Sequence, residues 1–483
     1  MNYSIARRMI GVILVIEALF LLPSLFLSLF DQDGITRYFL ISLILMVFFG
    51  YMAYRKKAVD LVLSPKDGLF IVSSAWLIVS LFGALPFYLS HYLSYVDAFF
   101  EIVSGFTTTG ASIIPNIELF PRSLILWRSV THWIGGMGIL VFTISLLPRL
   151  GVGGFQIFKA ESPGPIAGKI EPRIADTAKR LYIIYIGITV VLFVLLVLGK
   201  MTPFDALIHT LGVAGTGGFS SKANSIGAYS GYYIPIIMSI FMIVYGTNFS
   251  VYYQLSQKKY KEILKNDEVR LYYLIIIVAV LGITWNLYSN HYGSLGQSAK
   301  DSFFQVTSLM STSGFSNTDY DLWPSFSKFI LYALMFTGSC AGSTAGGMKI
   351  VRISIVFKLI AREIGKVVHP NAVIPITLEG KALKDEVVMG VTAFISVYLM
   401  IFVFSSALVT MSGLDVLSSC SAVTTMLSNV GPGFNKVGPS LNFSEFSDFY
   451  KLYFSFLMLL GRLEFFTILG ILVPRRQRKK IQI

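Results

Sequence analysis

Charge is scarce in this sequence. Only 13% of its 483 residues are Asp, Glu, Lys or Arg, while 54% are hydrophobic, and the mean hydropathy is +0.70. Soluble domains keep about a quarter of their residues charged, so a water-soluble globular chain is excluded. Cysteine is also scarce. Cys340 and Cys420 are the only two, which argues against a disulfide framework or a thiolate metal site and leaves both as small apolar fillers. The five histidines are scattered, and His132 and His369 lack ligand spacing. Without clustered acids, bases or nucleophiles there is no sign of an enzyme. Walker and dinucleotide motifs are absent as well, so any ATP or NAD belongs to a partner.

Long apolar runs are abundant. A membrane-spanning helix needs about 20 such residues, and candidates lie near 9–30, 37–53, 68–90, 124–148, 181–199, 232–255, 271–289, 326–348, 387–411 and 449–473. The expectation is an all-α polytopic membrane protein with ten transmembrane helices. The first run is too long for a signal-peptide core and lacks a small-residue cleavage site, so it reads as a retained helix. The net charge of +13 would point to nucleic acid in a soluble protein. Here the basic residues group at Arg7–Arg8, Arg55–Lys57 with Lys66, Arg149 to Arg180, Lys258 to Arg270, Lys349 to Lys366 and Arg475 to Lys480. Positive loops face the cytoplasm; this pairs the spans, puts both termini inside and calls for no nucleic acid. The aromatic residues, 14% of the chain, read as lipid-facing and interfacial.

Between paired spans, one pattern recurs. DAFFEIVSGFTTTGAS begins at Asp97, DALIHTLGVAGTGGFS at Asp205 and DSFFQVTSLMSTSGFS at Asp301. A degenerate fourth copy, SSCSAVTTMLSNVGPGF, begins at Ser418, three residues after Asp415. The glycines Gly110, Gly218, Gly314 and Gly431 stand 108, 96 and 117 residues apart. Four copies in step with the topology form an internal repeat of helix, short helix, loop and helix. The leading Asp or Ser is expected to cap the short helix. That helix is too short to cross, so it re-enters and stops.

Non-helical backbone at membrane depth is tolerated only when protein buries it or water reaches it. Four such loops meeting at one axis satisfy that condition. Their carbonyls then line a path toward which the short helices aim their partly negative C-termini. Moving a bare ion into low dielectric costs on the order of 20 kcal/mol in the idealised limit, and stacked carbonyl rings offset that by replacing the hydration shell. Glycine permits the positive φ that turns successive carbonyls the same way. The hydroxyls of Thr107, Thr108 and Thr109 serve as further ligands or as braces. The residues alone thus point to a cation pore built from four repeats.

The segments FTTTGA (106–111), GTGGFS (215–220), STSGFS (311–316) and LSNVGPG (427–433) resemble the filters of the Trk/Ktr/HKT superfamily of potassium transporters. So do WIGGMGI (133–139), ESPGP (161–165), PRIADTAK (172–179), GSCAGSTAGGMKIVRI (338–353) and GRLEFFT (461–467). The two extra N-terminal helices favour the TrkH-type branch. The resemblance implies potassium uptake across the bacterial cytoplasmic (inner) membrane through one fourfold pseudosymmetric pore. Potassium would be the transported ion, with no permanently bound cofactor. It also implies a homodimer and a cytosolic TrkA-type nucleotide-binding regulatory subunit. On matching positions, the ion ligands would be Thr107, Thr108, Gly110, Thr216, Gly217, Gly218, Thr312, Ser313, Gly314, Asn429, Val430 and Gly431. The implied division is 1–60 for two N-terminal helices and 61–160, 161–256, 257–365 and 366–483 for pore repeats 1 to 4. No copy carries the tyrosine of the TVGYG filter.

In the third repeat, a helix starting near Ser325 covers only about 18 Å by Thr337 at 1.5 Å per residue. GSCAGSTAGG follows, a poor helix too polar for lipid. An unwound loop lining the conduit is one reading; close helix packing through small residues is the other. The resemblance assigns the loop to an intramembrane gate comprising Gly338, Gly342, Ser343, Thr344, Gly346, Gly347 and Lys349, with Arg462 projecting toward it. Lys349 and Arg352 suit either gate counter-charges or cytoplasmic anchors. For Arg462 the alternative is an ion pair holding the bundle, though not with Glu464, since i and i+2 do not face each other on a helix. Glu17 is expected to be paired or structural, and Glu101 and His209 to bond neighbouring re-entrant helices. A sodium- or proton-coupled potassium symporter is the rival reading, because such folds also break helices. They often use inverted repeats, whereas these copies share one orientation.

Overall fold

The computed structural model describes residues 3–55, 64–138 and 174–472. Within them the fold is mostly helical, with one two-stranded antiparallel hairpin, β1 (Thr377–Leu378) and β2 (Lys381–Ala382). The basic clusters at 149–173 and 475–480, ESPGP and the start of PRIADTAK lie outside the described residues.

Helices α1 (Tyr3–Asp31) and α2 (Thr36–Arg55) form a close pair. Their backbones approach at Gly11 and Gly50: a methyl group on Gly50 would fall 2.9 Å from the Gly11 carbonyl oxygen. Small residues make such contact between apolar helices possible.

Four groups follow. The first is α3 (Pro65–Gly83), the short α4 (Tyr95–Phe106) and α5 (Arg122–Met137). The second is α6 (Ile174–Leu198), the short α7 (Pro203–Gly215), α8 (Tyr233–Gly246) and α9 (Phe249–Ser256). The third is α10 (Asp267–Leu287), the short α11 (Leu295–Met310), α12 (Ser325–Thr337) and α13 (Ile350–Val368). The fourth is α14 (Asp385–Thr410), the short α15 (Val416–Ser428), α16 (Asp448–Leu463) and α17 (Phe465–Leu472).

Six helices among the described residues are long and apolar enough to cross a membrane, or eight with two bent pairs counted as spans. Several expected spans are therefore not straight helices. The run 232–255 is α8 and α9 meeting at 90°, and 449–473 is α16 and α17 meeting at 106°. The run 326–348 is helical only to Thr337, and in 124–148 the helix stops at Met137, before Gly138 at φ +80°. The run 68–90 bends after Gly83 into a short turn of helix at Leu85–Leu89. In each of the four groups a non-helical residue thus follows the second long helix: Gly138, Thr247, Gly338 and Glu464.

Three of the short helices begin three residues earlier than expected, and the third in chain order begins seven earlier. Ser94 accepts the Asp97 amide at 3.1 Å, and Thr202 accepts the Asp205 amide at 3.1 Å. Asp97 and Asp205 are thus N3 residues in the manner of a capping box, not caps. Asp415 caps α15 through the Ser418 amide at 3.2 Å, so Ser418 is not the cap either. Asp301 lies inside α11, whose N-cap position is Ser294. The hydroxyl or carboxylate three residues upstream satisfies the orphan amide first. Aromatic residues divide between two roles. Phe30 and Phe329 are exposed, but Trp76, Trp127, Phe100, Phe106, Phe219 and Tyr320 are fully buried, and Trp76, Trp127, Phe100 and Phe106 share one apolar core between long and short helices.

Candidate functional site

The four repeated loops meet head to tail. A methyl group on Gly110 would fall inside 3.0 Å of the Gly217 carbonyl oxygen, one on Gly218 of Ser313, one on Gly314 of Val430 and one on Gly431 of Thr109. Each glycine packs on the carbonyl of the residue just before the next copy's glycine. The fourth returns to the first, so one chain closes a ring.

The backbone repeats too. Thr108, Thr216, Thr312 and Asn429, each two residues before its glycine, lie at φ +56°, +56°, +55° and +54°. The glycines lie at +81°, +77°, +72° and +98°. Residues of positive φ alternating with residues of negative φ turn successive carbonyls toward one side of the strand. A side chain in the left-handed region costs about 1–2 kcal/mol, repeated here four times, so the conformation is imposed by the surroundings. Sequence pattern marks the glycines but gives no sign of these four positive-φ partners.

Side chains brace the ring from behind. Thr107 donates to the Val103 carbonyl at 2.6 Å and pairs with Thr109 at 2.8 Å. Ser311 and Ser313 pair in the same way at 2.8 Å. Asn429 Nδ2 donates to Thr109 Oγ1 at 2.9 Å, tying the fourth copy to the first. Glu101 accepts from Ser112 Oγ and the Ile113 amide at 3.0 Å each, and pairs with buried Arg128 at 3.0 Å. His209 joins Ser220 at 2.9 Å, Gln305 donates to Asn317 at 3.1 Å, and the Phe434 amide donates to Ser421 at 3.1 Å. Glu101 and His209 therefore hold their own outgoing loops, with Glu101 also tied to α5 through Arg128, and neither bonds a neighbouring re-entrant helix as expected, because the loop returns past the face on which they sit. Gln305, Ser421 and Arg128 complete this set. Sequence reading missed all three, although Gln305 shares their offset. His132 is fully buried, 4.0 Å from the Phe219 ring between centroids, and packs on the Gly217 backbone where a side chain would collide with it.

On one side of the ring opens a cavity of about 470 Å³, lined from all four copies by residues such as Ser112, Ser220, Asn317 and Asn442. Near its rim, Asp321 accepts the Asn435 amide at 3.0 Å and joins the third and fourth outer loops. Burial, aided by the Asp319 charge, pushes Asp321 up to about 6 despite the Asn435 amide and Lys328. A raised carboxyl pKa favours the folded state at low pH: the contribution is complete below the ordinary 3.8 and lost as pH rises through about 6. Amide exchange at 319–323 and 434–438, corrected for intrinsic rate, should therefore be slower at acid than at neutral pH. Asp321→Asn should flatten that difference.

On the other side the non-helical segment from Gly338 to Lys349 presses on the ring. The Gly346 amide donates to Thr312 Oγ1 at 2.7 Å. A methyl group on Gly346 would collide with the Ser428 carbonyl, so the segment also touches the fourth copy. Arg462 donates to the Thr344 carbonyl at 2.9 Å and to Gly135 and Gly136 at the end of α5, the latter at 3.0 Å. It thereby adds a donor to carbonyls in the last turn of α5, where the Gly138 amide already reaches the Gly135 carbonyl at 3.0 Å. Buried Lys349 donates to the Ala345 carbonyl. Glu268, at the start of α10, accepts the Ala341 amide at 2.6 Å and the Val351 amide at 3.2 Å through one oxygen, clasping the segment's two ends. Arg352 pairs with Glu464 at 2.6 Å across the break between α16 and α17. Of the small-residue readings, the unwound loop is what forms. Gly338, Gly342 and Gly347, at φ +65°, +71° and +75°, let it turn.

Of the two readings of Glu17, paired or structural, the structure shows no pairing among the described residues. Glu17 is fully buried, and neither carboxylate oxygen has a hydrogen-bond partner among the described residues. A methyl group on Gly83 would fall 2.9 Å from its Oε1. Cys340 and Cys420 are free thiols, and among the described residues no group of histidine, cysteine and acid could hold a metal ion.

A family model described as TrkH, cation transport protein, matches residues 35–477. The Trk system potassium uptake protein TrkH of Escherichia coli K12 is 35% identical over 98% of this chain and 99% of its own. That of Vibrio parahaemolyticus is 36% identical with the same coverage. The crystal structure of the potassium transporter TrkH from Vibrio parahaemolyticus superimposes with a TM-score of 0.88 at 34% identity, covering 98% of this chain and 99% of that one.

Proposed function

The chain belongs to the TrkH family of cation transport proteins, transporters and not enzymes, and from that membership we propose that it takes up potassium across the bacterial cytoplasmic membrane through the ring of four loops. The observation that carries this reading is the cyclic contact of Gly110, Gly218, Gly314 and Gly431 with the carbonyl before the next glycine. Four loops, each with a left-handed residue two positions before its positive-φ glycine, suit a dehydrated monovalent cation, and a ring of carbonyls discriminates by the number and field of its dipoles. The repeats at 61–160, 161–256, 257–365 and 366–483 supply one quarter each. The helices of 1–60 flank them, in a ten-segment arrangement with both termini in the cytoplasm.

The segment from Gly338 to Lys349 is the gate. It sits against the ring and is held by Arg462, Lys349 and Glu268. A homodimer with a cytosolic nucleotide-binding ring of the TrkA type completes this reading. The test is the reversal potential of proteoliposomes holding the purified protein, with potassium on one side and sodium on the other. A potential near the potassium limit is expected. No cation-selective potential, with potassium uptake driven only by an imposed sodium or proton gradient, overturns the channel-like path in favour of coupled transport.

A further inference from the structure

We propose that the intramembrane segment and the transported potassium ion compete for a single oxygen, the hydroxyl of Thr312, so that an ion at the inner end of the ring favours release of the gate. The inference rests on reading the ring as the ion path and the segment as its gate.

Thr312 is one of four equivalent residues, and it is unlike the other three. It is fully buried at φ +55° and accepts the Gly346 amide at 2.7 Å. Thr108 stands at the same level in the first copy, and its hydroxyl has no hydrogen-bond partner among the described residues. Thr216 turns its hydroxyl onto the Gly215 carbonyl at 2.6 Å. Asn429 spends its amide on Thr109 and on the Met458 carbonyl at 3.0 Å. Among the described residues, only Thr312 of these four is hydrogen-bonded to the gate segment.

A hydroxyl oxygen has two lone pairs. With one engaged by the Gly346 N–H, a cation ligated through the other shares that oxygen with the positive end of an amide dipole. Each partner withdraws electron density from the oxygen and repels the other. Docking of the segment therefore weakens ion binding at this level. Because linkage is reciprocal, an ion at this level weakens docking by the same factor. The segment is built to move in response. Glycines with positive φ stand at Gly338, Gly342 and Gly347, and the contact of Gly346 with the fourth copy at Ser428 is backbone packing.

The experiment reads the position of the segment apart from flux. Ser343→Cys is introduced in a Cys340→Ala, Cys420→Ala background. Its reaction rate with a bulky, membrane-impermeant maleimide is followed in nanodiscs over a potassium series, with choline holding ionic strength constant. The labelling rate should rise with potassium, roughly tenfold between empty and saturated, within the usual range of such couplings. Thr312→Ser, which keeps the hydroxyl, should retain the rise, and Thr312→Val should lose it. Thr108→Val, at the same ring level without a bond to the segment, should keep the rise at a shifted midpoint.

A labelling rate indifferent to potassium overturns the proposal, as does a rise that survives Thr312→Val. Loss in Thr108→Val as complete as in Thr312→Val overturns the assignment to Thr312. Potassium flux measured on the same preparations separates the two layers. Intact flux with flat labelling removes the competition and leaves the transport reading. Potassium-dependent labelling without flux in any preparation supports the competition and removes the transport reading.

Discussion

Gly314→Ser is expected to abolish the preference for potassium over sodium, bringing the bi-ionic reversal potential close to zero while the protein still folds. The glycine sits at φ +72°, where a side chain costs about 1–2 kcal/mol before any contact is considered. Its Cβ would then collide with the Val430 carbonyl oxygen and meet the Pro432 ring at 2.7 Å. Neither obstacle is a flexible side-chain end, so the backbone of the third copy must retreat from that of the fourth. A shift of tenths of an ångström changes the spacing of carbonyls from two copies at once. A loss of about 1.4 kcal/mol in differential stabilisation is already tenfold in relative rate, so a modest displacement erases a large preference. The helices outside the ring do not depend on this contact, so the variant should extract and elute like the parent. A parent-like reversal potential in Gly314→Ser would show that discrimination lies elsewhere along the path.

Removal of Gly342 to Ala345 is expected to raise basal potassium leak at least tenfold in the absence of any cytosolic partner. The cut takes out the carbonyls of Thr344 and Ala345, which receive Arg462 and Lys349. Its two flanks stay tied elsewhere: Ser339 to the Met310 carbonyl at 2.8 Å, and the Ile350 amide to the Ser339 carbonyl at 3.0 Å. The shortened segment can then no longer reach Thr312, while α12 and α13 keep their anchors. Rubidium efflux from loaded proteoliposomes measures the change. An unaltered leak would mean that the segment is a packing element and that closure occurs at another level.

Much of this organisation was legible in the residues. Four glycines recurring in register announced four equivalent loops, because only glycine suits a left-handed position pressed against a neighbouring carbonyl. GSCAGSTAGG announced an unwound segment, because it is neither apolar enough for lipid nor stiff enough for helix. The breaks at Gly138, Thr247 and Glu464 were hidden inside runs whose mean apolarity looks like an unbroken span. What betrays them is local: Gly135-Gly136 and Gly138, Tyr245-Gly246-Thr247-Asn248, and Arg462 with Glu464, small, polar or charged residues at the end of the second long helix. The bond from Gly346 to Thr312 and the clasp by Glu268 were not legible at all. They join residues 34 and 73 positions apart through backbone amides, which carry no residue identity. The cyclic order of the ring was equally silent, since sequence period says that copies exist but not which touches which.

A ring drawn from one chain has a genetic consequence. In an assembly of four identical subunits, every substitution is copied four times and the pore changes all round. Here a mutation alters one quadrant, as the contrast among Thr108, Thr216, Thr312 and Asn429 already illustrates. The quadrants are thus free to diverge, with one bonded to the intramembrane segment through Thr312 while Thr108 keeps its hydroxyl without a hydrogen-bond partner among the described residues. Selection can adjust such a protein one quarter at a time.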